Sequence, residues 1–239
     1  MLKIDLHLHT VASGHAQNTI LEYVTQAKKL RMKVIGVSDH APSTDTLTSE
    51  TYFLTLRRMP KKISGIRLLK GAEVNIVSPK GKIDLSDETI KKLDYVMAGF
   101  HRNPLYINIG ELQNTKTMIN ALRQRKFSIL AHPYVTHIFP VNVEKISEEA
   151  CRNDILLEVN LHYTKRFIDN HIVMSNLKIM IDIVKKNHKK IILGSDAHNI
   201  WELADDSILK KIKKVTGLKD KLIINNYPKE LFEILKINE

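Results

Sequence analysis

The 239-residue chain has one cysteine, one tryptophan, and too few acids to balance its bases. A lone Cys151 cannot close an internal disulfide, which excludes the disulfide-framed secreted folds. Its place in a helical stretch (residues 143–152) predicts buried packing, not a reactive thiol. No run of about 18 apolar residues is present to span a bilayer. The opening Met-Leu-Lys-Ile-Asp-Leu-His lacks the apolar core of a secretory leader. Together these absences predict a cytoplasmic protein without a membrane partner. Glycine and proline are sparse and nowhere concentrated, and no repeat or low-complexity tract occurs. Residues 1–239 therefore read as a single domain. No Gly-x-Ser-x-Gly elbow surrounds Ser195 or any other serine, so nothing marks a serine nucleophile.

The acid deficit gives a net charge of +11. Such a balance suggests polyanionic partners, nucleic acid among them. Yet Lys outnumbers Arg 28 to 9, in doublets such as Lys28-Lys29, Lys185-Lys186 and Lys213-Lys214 on helical faces. Lysine is the hydrated surface cation, whereas arginine carries the fork that reads phosphates and bases. The charge reads as a solvated face that could steer small phosphate anions, rather than as a nucleic-acid footprint.

Short apolar or β-branched runs occur at residues 2–9, 33–38, 67–74, 95–100, 127–131, 155–160 and 190–194. Helical patterns lie between them. One follows an Asn18 or Thr19 cap and carries Leu21, Val24, Ala27 and Leu30; others cover 49–59, 112–125, 143–152, 173–187, 200–215 and 228–237. The alternation predicts an α/β protein with a parallel sheet. Seven strand–helix units suggest a TIM-like barrel one unit short of eight, with its chemistry at the C-terminal ends of the strands.

Those ends carry histidines and acids. Strand one ends in Asp5-Leu6-His7-Leu8-His9, and strand alternation predicts Asp5, His7 and His9 on one face. Two imidazoles one pleat apart can share an ion. Strand two ends in Ser38-Asp39-His40, strand three carries Gly71-Ala72-Glu73, and strand four ends in Gly99-Phe100-His101. Strand five ends in Ala131-His132-Pro133, and strand seven in Gly194-Ser195-Asp196-Ala197-His198. His15 lies in the loop after strand one. Each site alone is ordinary. Seven of the eleven histidines at or just past strand ends, with two acids, form a joint signal for a metal cluster. His137, His162, His171 and His188 fall outside it, although His162, just past strand six, could face the site.

His7-Leu8-His9-Thr10, Ser38-Asp39-His40 and the 194–198 run together resemble the PHP (polymerase and histidinol phosphatase) family. Residues 5–16, Gly71-Ala72-Glu73-Val74-Asn75-Ile76 and Ala98-Gly99-Phe100-His101 are most similar to its stand-alone bacterial phosphatases of the YcdX type. The resemblance implies a distorted (β/α)7 barrel, three divalent metal ions, usually zinc, and phosphoesterase activity. Position by position, it implies His7, His9, Glu73 and Asp196 on one ion. Glu73 would bridge to a second held by His101 and His132, and His15, His40 and His198 would hold the third. Glu73 and Asp196 would act in catalysis through those ions. Two positions depart from pattern. Asp39 stands where the histidinol phosphatase branch tends to have Glu, and Arg102 follows His101 where an acid is more typical of the YcdX-like branch. The second departure bears on the substrate, not the metals.

The chemistry agrees with this without the family. Imidazole with one or two carboxylates suits zinc, with manganese or iron as alternatives. Three divalent ions leave a positive excess over Glu73 and Asp196, which favours a phosphate dianion and its transferring oxygens. A metal-bridging hydroxide is the expected nucleophile. Asp5 and Asp39 are candidates to accept the distal N–H of a ligating imidazole. Arg102 and Lys165-Arg166 are candidates to clamp the substrate. The expectation is a metal-dependent phosphatase acting on a small phosphorylated molecule. The alternatives are a histidinol-phosphate phosphatase, a PHP-type nuclease acting on nucleic acid, an amidohydrolase-like metal hydrolase and a non-enzymatic zinc protein. Amidohydrolases typically bridge their ions with Lys, where this chain offers Glu73. Structural zinc sites are usually closed and Cys-rich. Whether the protein is a homo-oligomer is left open by the sequence.

Overall fold

In the computed structural model, which describes residues 2–44 and 46–237, the strands fall into two sheets. The first holds β1 (Ile4–Asp5), β2 (Val34–Val37), β3 (Lys62–Ile63) and β4 (Ile66–Lys70), ordered β1-β2-β4-β3, with β3 antiparallel. The second holds β5 (Glu73–Asn75), β6 (Met97–Gly99), β7 (Ile129–Leu130), β8 (Leu156–Asn160) and β9 (Ile191–Gly194) in that order, all parallel. Two parallel bridges, His40 to Glu73 and Leu8 to Ala197, join the sheets at both seams. The strands thus run round a distorted (β/α)7 barrel of the TIM-like type.

The run expected as one third strand is divided. β4 pairs with β2, β5 pairs with β6, and Gly71 and Ala72 carry the chain between them. Tyr95 fills the gap. Its hydroxyl donates to the carbonyls of Leu6 (2.6 Å) and Val37 (3.1 Å). Its ring lies so close over Gly36 and Gly71 that a Cβ at either would collide with it. Inward-facing Ile4, Leu6, Leu69, Met97, Ile129, Leu156 and Ile192 pack with Tyr95, and Leu231, Phe232 and Leu235 of α9 (Pro228–Leu235) close that core. The alternate positions, among them Ile35, Leu68, Ala98, Leu157 and Leu193, pack outward against the helices.

Helices α1 (Ile20–Lys29), α2 (Glu50–Leu56), α4 (Glu111–Gln124), α5 (Val143–Arg152) and α7 (His171–Lys186) lie close to their expected places. Thr19 caps α1 and closes a capping box with Glu22. Two short helices, α3 (Asp87–Ile90) and α6 (Leu161–Arg166), and strand β3 were not expected. The helix expected over 200–215 is only α8 (Leu209–Thr216). The chain before it is pinned to strand ends instead: the Ala204 N–H donates to Asp5 Oδ2 and the His198 N–H to Glu202 Oε2. Ala204 adopts a left-handed φ of 57°. Cys151 is buried, and burial pushes its thiol up to about 11. No described helix is long and apolar enough to cross a membrane.

Candidate metal centre

The strand ends bring His7, His9, His40, Glu73, His101, His132 and Asp196 together. Around the first group, His7 Nε2 lies 3.2 Å from His9 Nε2, 3.4 Å from Glu73 Oε2 and 3.3 Å from Asp196 Oδ1. His9 Nε2 lies 3.4 Å from Glu73 Oε2 and 3.2 Å from Asp196 Oδ1. A tetrahedron with metal–ligand bonds of 2.0–2.1 Å has edges of about 3.3 Å. Five of its edges are therefore on hand. The other oxygen of Glu73 faces a second group. His101 Nε2 and His132 Nε2 each stand 3.1 Å from Glu73 Oε1 and 3.3 Å from one another.

The third group differs from the expected one. His40 joins His9 and Glu73, with its Nδ1 3.2 Å from Glu73 Oε2. That nitrogen is buried without a hydrogen-bond partner. His15 and His198 line one flank as tilted neighbouring rings, with centroids 4.9 Å apart, 5.3 Å between His15 and His40, and 4.6 Å between His198 and His9. A buried orphan nitrogen and imidazole nitrogens at tetrahedral-edge spacing both fit divalent ions, which would take the lone pairs that no protein donor satisfies.

Most rings are aimed by a partner on the far nitrogen. His7 Nδ1 lies 2.6 Å from Glu158 Oε1, His101 Nδ1 2.7 Å from Asn75 Oδ1, and His198 Nδ1 donates to the Asp196 carbonyl at 2.9 Å. His9 Nδ1 reaches Ser13 Oγ at 3.2 Å, and that hydroxyl donates to Asp39 Oδ1 at 2.7 Å. Asp39 thus orients His9 through Ser13, while also holding Thr10 and Tyr52. For His7, His9 and His101 the distal contact leaves Nε2 facing the cluster. Asp5 is a correction. Regular pairing of β1 ends at Asp5, so alternation does not carry on to His7. Its carboxylate accepts the backbone N–H groups of His7, Ser195 and Ala204, and it ties strand ends together without touching an imidazole.

Glu158, on β8, is the residue the sequence reading missed. Both its oxygens are used, Oε1 on His7 and Oε2 accepting the His132 N–H at 2.9 Å. His132 and Asp196 hold positive φ angles of 34° and 56°, a conformation uncommon outside glycine but more accessible to His and Asp than to most residues. Gly194 lets Glu158 approach, since a Cβ there would collide with Glu158 Oε1 and lie 2.7 Å from His7 Cβ. Asn160, which donates to Asp196 Oδ2 at 3.1 Å, was likewise missed. The available cue was a polar alternation, Glu158 and Asn160, inside an otherwise apolar strand.

The field of the cluster follows from burial and charge. Burial would raise Glu73, but His101, His7 and His40 hold it well below the usual carboxylate range. Asp196 is depressed in the same way by His7 and His9. Burial opposes charge on His9, yet Asp196 and Glu73 outweigh it and hold its pKa up to about 9. Burial drives His40 well down, which keeps its lone pair free. Arg102 is exposed just beyond His101, and Lys165 pairs with Asp205 at 2.8 Å, away from the cluster.

Comparison with known proteins identifies the family. The PHP domain matches residues 5–162. A probable phosphatase of Clostridium botulinum (strain Langeland) is 35% identical over 238 residues, covering 98% of this chain and 94% of the relative. A probable phosphatase of Clostridium novyi (strain NT) is 33% identical over 234 residues, with the same coverage. The crystal structure of histidinol phosphate phosphatase from Lactococcus lactis, complexed with zinc, L-histidinol and phosphate, has a TM-score of 0.62 at 14% identity. It covers 90% of this chain and 92% of that one, and at this identity it speaks to the fold alone. With the family match over well over half the chain and relatives aligned almost end to end, the chain belongs to the PHP domain family.

Proposed function

We propose that the whole chain is one metal-dependent phosphatase unit that hydrolyses a small phosphorylated substrate at a cluster of three divalent ions, most favourably zinc. The observation that carries the reading is the spacing of five donor pairs at 3.2–3.4 Å around one point, with the second oxygen of Glu73 turned to His101 and His132. His7, His9, Glu73 and Asp196 would hold one ion, and Glu73, His101 and His132 a second. His40 would hold the third, with His15 and His198 completing it on the open flank. Ions bound there supply Lewis acidity and an acidified water for attack on phosphorus.

The chain's own residues do the rest. Glu158, Asn75 and the Ser13–Asp39 pair fix the imidazoles, so the cluster does not reorganise as charge develops. Glu73 and Asp196 stay ionised and act through what they hold. Arg102 and Arg166 stand where a substrate can be met. The names of the aligned relatives favour a phosphate ester over an amide or lactone.

Elemental analysis alongside phosphate release from 4-nitrophenyl phosphate tests the reading. Activity should vanish with a chelator and return with zinc or manganese. His101→Ala should lose one ion and most turnover. Normal turnover with unchanged metal content in that variant would overturn the assignment.

A further inference from the structure

Beside the cluster runs a strip of side chains with no part in holding ions. It begins with Tyr163, which meets the ring of the proposed ligand His132 edge-on at 5.3 Å. Tyr163, on α6, is stacked with Phe167, the rings within 3° of parallel at 6.2 Å. His137 packs on Phe167 at 5.0 Å, and the Arg166 guanidinium lies 5.5 Å from the same ring centre. Tyr163 and Phe167 are half-buried, while His137, Arg102 and Arg166 are exposed. The strip is a partly wet aromatic surface that leads outward from the ions.

Its charges are unspent. Among the described residues no carboxylate pairs with Arg102 or Arg166, although the neighbouring Lys165 is taken by Asp205. Arg166 and His137 both meet the Phe167 ring, and Arg102 follows His101 directly in the chain; burial lowers the pKa of His137, and the charges of Arg166 and Arg102 lower it further. Among the described residues the Tyr163 hydroxyl has no hydrogen-bond partner.

We propose that Tyr163, Phe167, His137, Arg102 and Arg166 are the substrate-recognition wall of this centre, selecting a phosphomonoester whose body carries a flat ring and a second negative charge. The proposal rests on the phosphatase reading and adds the class of substrate. With the phosphate at the ions, a flat ring lies along the Tyr163–Phe167 surface. An anionic group then reaches the two guanidinium forks, which fit a carboxylate or a second phosphate. A cationic amine in that place meets two like charges and is rejected.

Benzyl phosphates separate these terms, because their leaving groups are alike and only the far end changes. The metal-loaded protein is assayed with benzyl phosphate and its 4-carboxy, 4-phosphonomethyl and 4-aminomethyl derivatives. The two anionic esters should exceed the cationic one in kcat/KM by about tenfold, chiefly through KM, the scale of two exposed charge contacts. Whichever anionic ester is faster identifies the source of the second charge. In R102A/R166A the anionic preference should collapse towards parity, and in F167A the preference for benzyl over propyl phosphate should fall several-fold. Equal rates across the wild-type series, or a preference that survives R102A/R166A, overturn the proposal alone. No phosphate release from any ester at full metal loading overturns the phosphatase reading with it. The wild-type series needs no substitution to fold.

Discussion

The residue that best explains the aim of the cluster makes no contact with an ion in the proposed scheme. Glu158 holds His7 with one oxygen and the backbone of His132 with the other. Two donors face two acceptors, so a carboxamide cannot replace it: one of its ends is an NH2 that meets an N–H. Glu158→Gln should therefore lower zinc affinity about 10–100-fold, the usual scale for a partner that orients a ligand. Competition against a chromophoric chelator reads this directly, and wild-type affinity in the variant would sink the role. The histidines were legible because imidazoles at successive strand ends are conspicuous against an apolar background. Glu158, Asn75 and Ser13 were not, since each is common in isolation and is defined only by what the fold sets beside it. Asp5 shows the converse error. Its position predicted an imidazole partner, but a break in strand pairing turned it to three backbone N–H groups.

At the scale of elements, seven strand–helix units and their order were readable from alternation, and the helix limits held where caps were strong, as at Thr19. Change of partner was not readable. A run of apolar residues has the same period whether it pairs on one neighbour or two, so the division between β4 and β5 left no mark in residues 67–74. What left a mark was glycine, at Gly36 and Gly71, where Tyr95 lies too near for any side chain. Gly71→Ala should cost about 1–3 kcal/mol, the usual penalty of overpacking a filled interior. Urea unfolding of the metal-free protein measures it, and an unmoved midpoint would mean that Tyr95 does not govern the division. The segment 200–208 was misread for a related reason, because its turns are held by Asp5 and Glu202 rather than by its own helical ladder.

Over the whole molecule, protons and metal ions compete for the same nitrogens. In the metal-free protein His9 titrates at about 9 against an ordinary 6.5, and His7 is raised as well. A raised pKa stabilises the protonated folded state fully below about 6.5, and that contribution is lost as pH rises through about 9. Zinc must displace those protons. The rise in Tm on adding zinc should therefore be larger at pH 8.5 than at pH 6, compared by scanning calorimetry at each pH. A rise as large at pH 6 would contradict the competition. The two seams of the barrel add a mechanical side to the same fact. Each seam is a single bridge, one at Leu8 and Ala197, the other at His40 and Glu73. His7 and His9 stand on one shore of the first, and Asp196 and His198 on the other, while His40 and Glu73 are themselves the second. Ions gripped there are clasps as much as reagents, so metal starvation would unbutton the barrel along the same two lines at which it silences the chemistry.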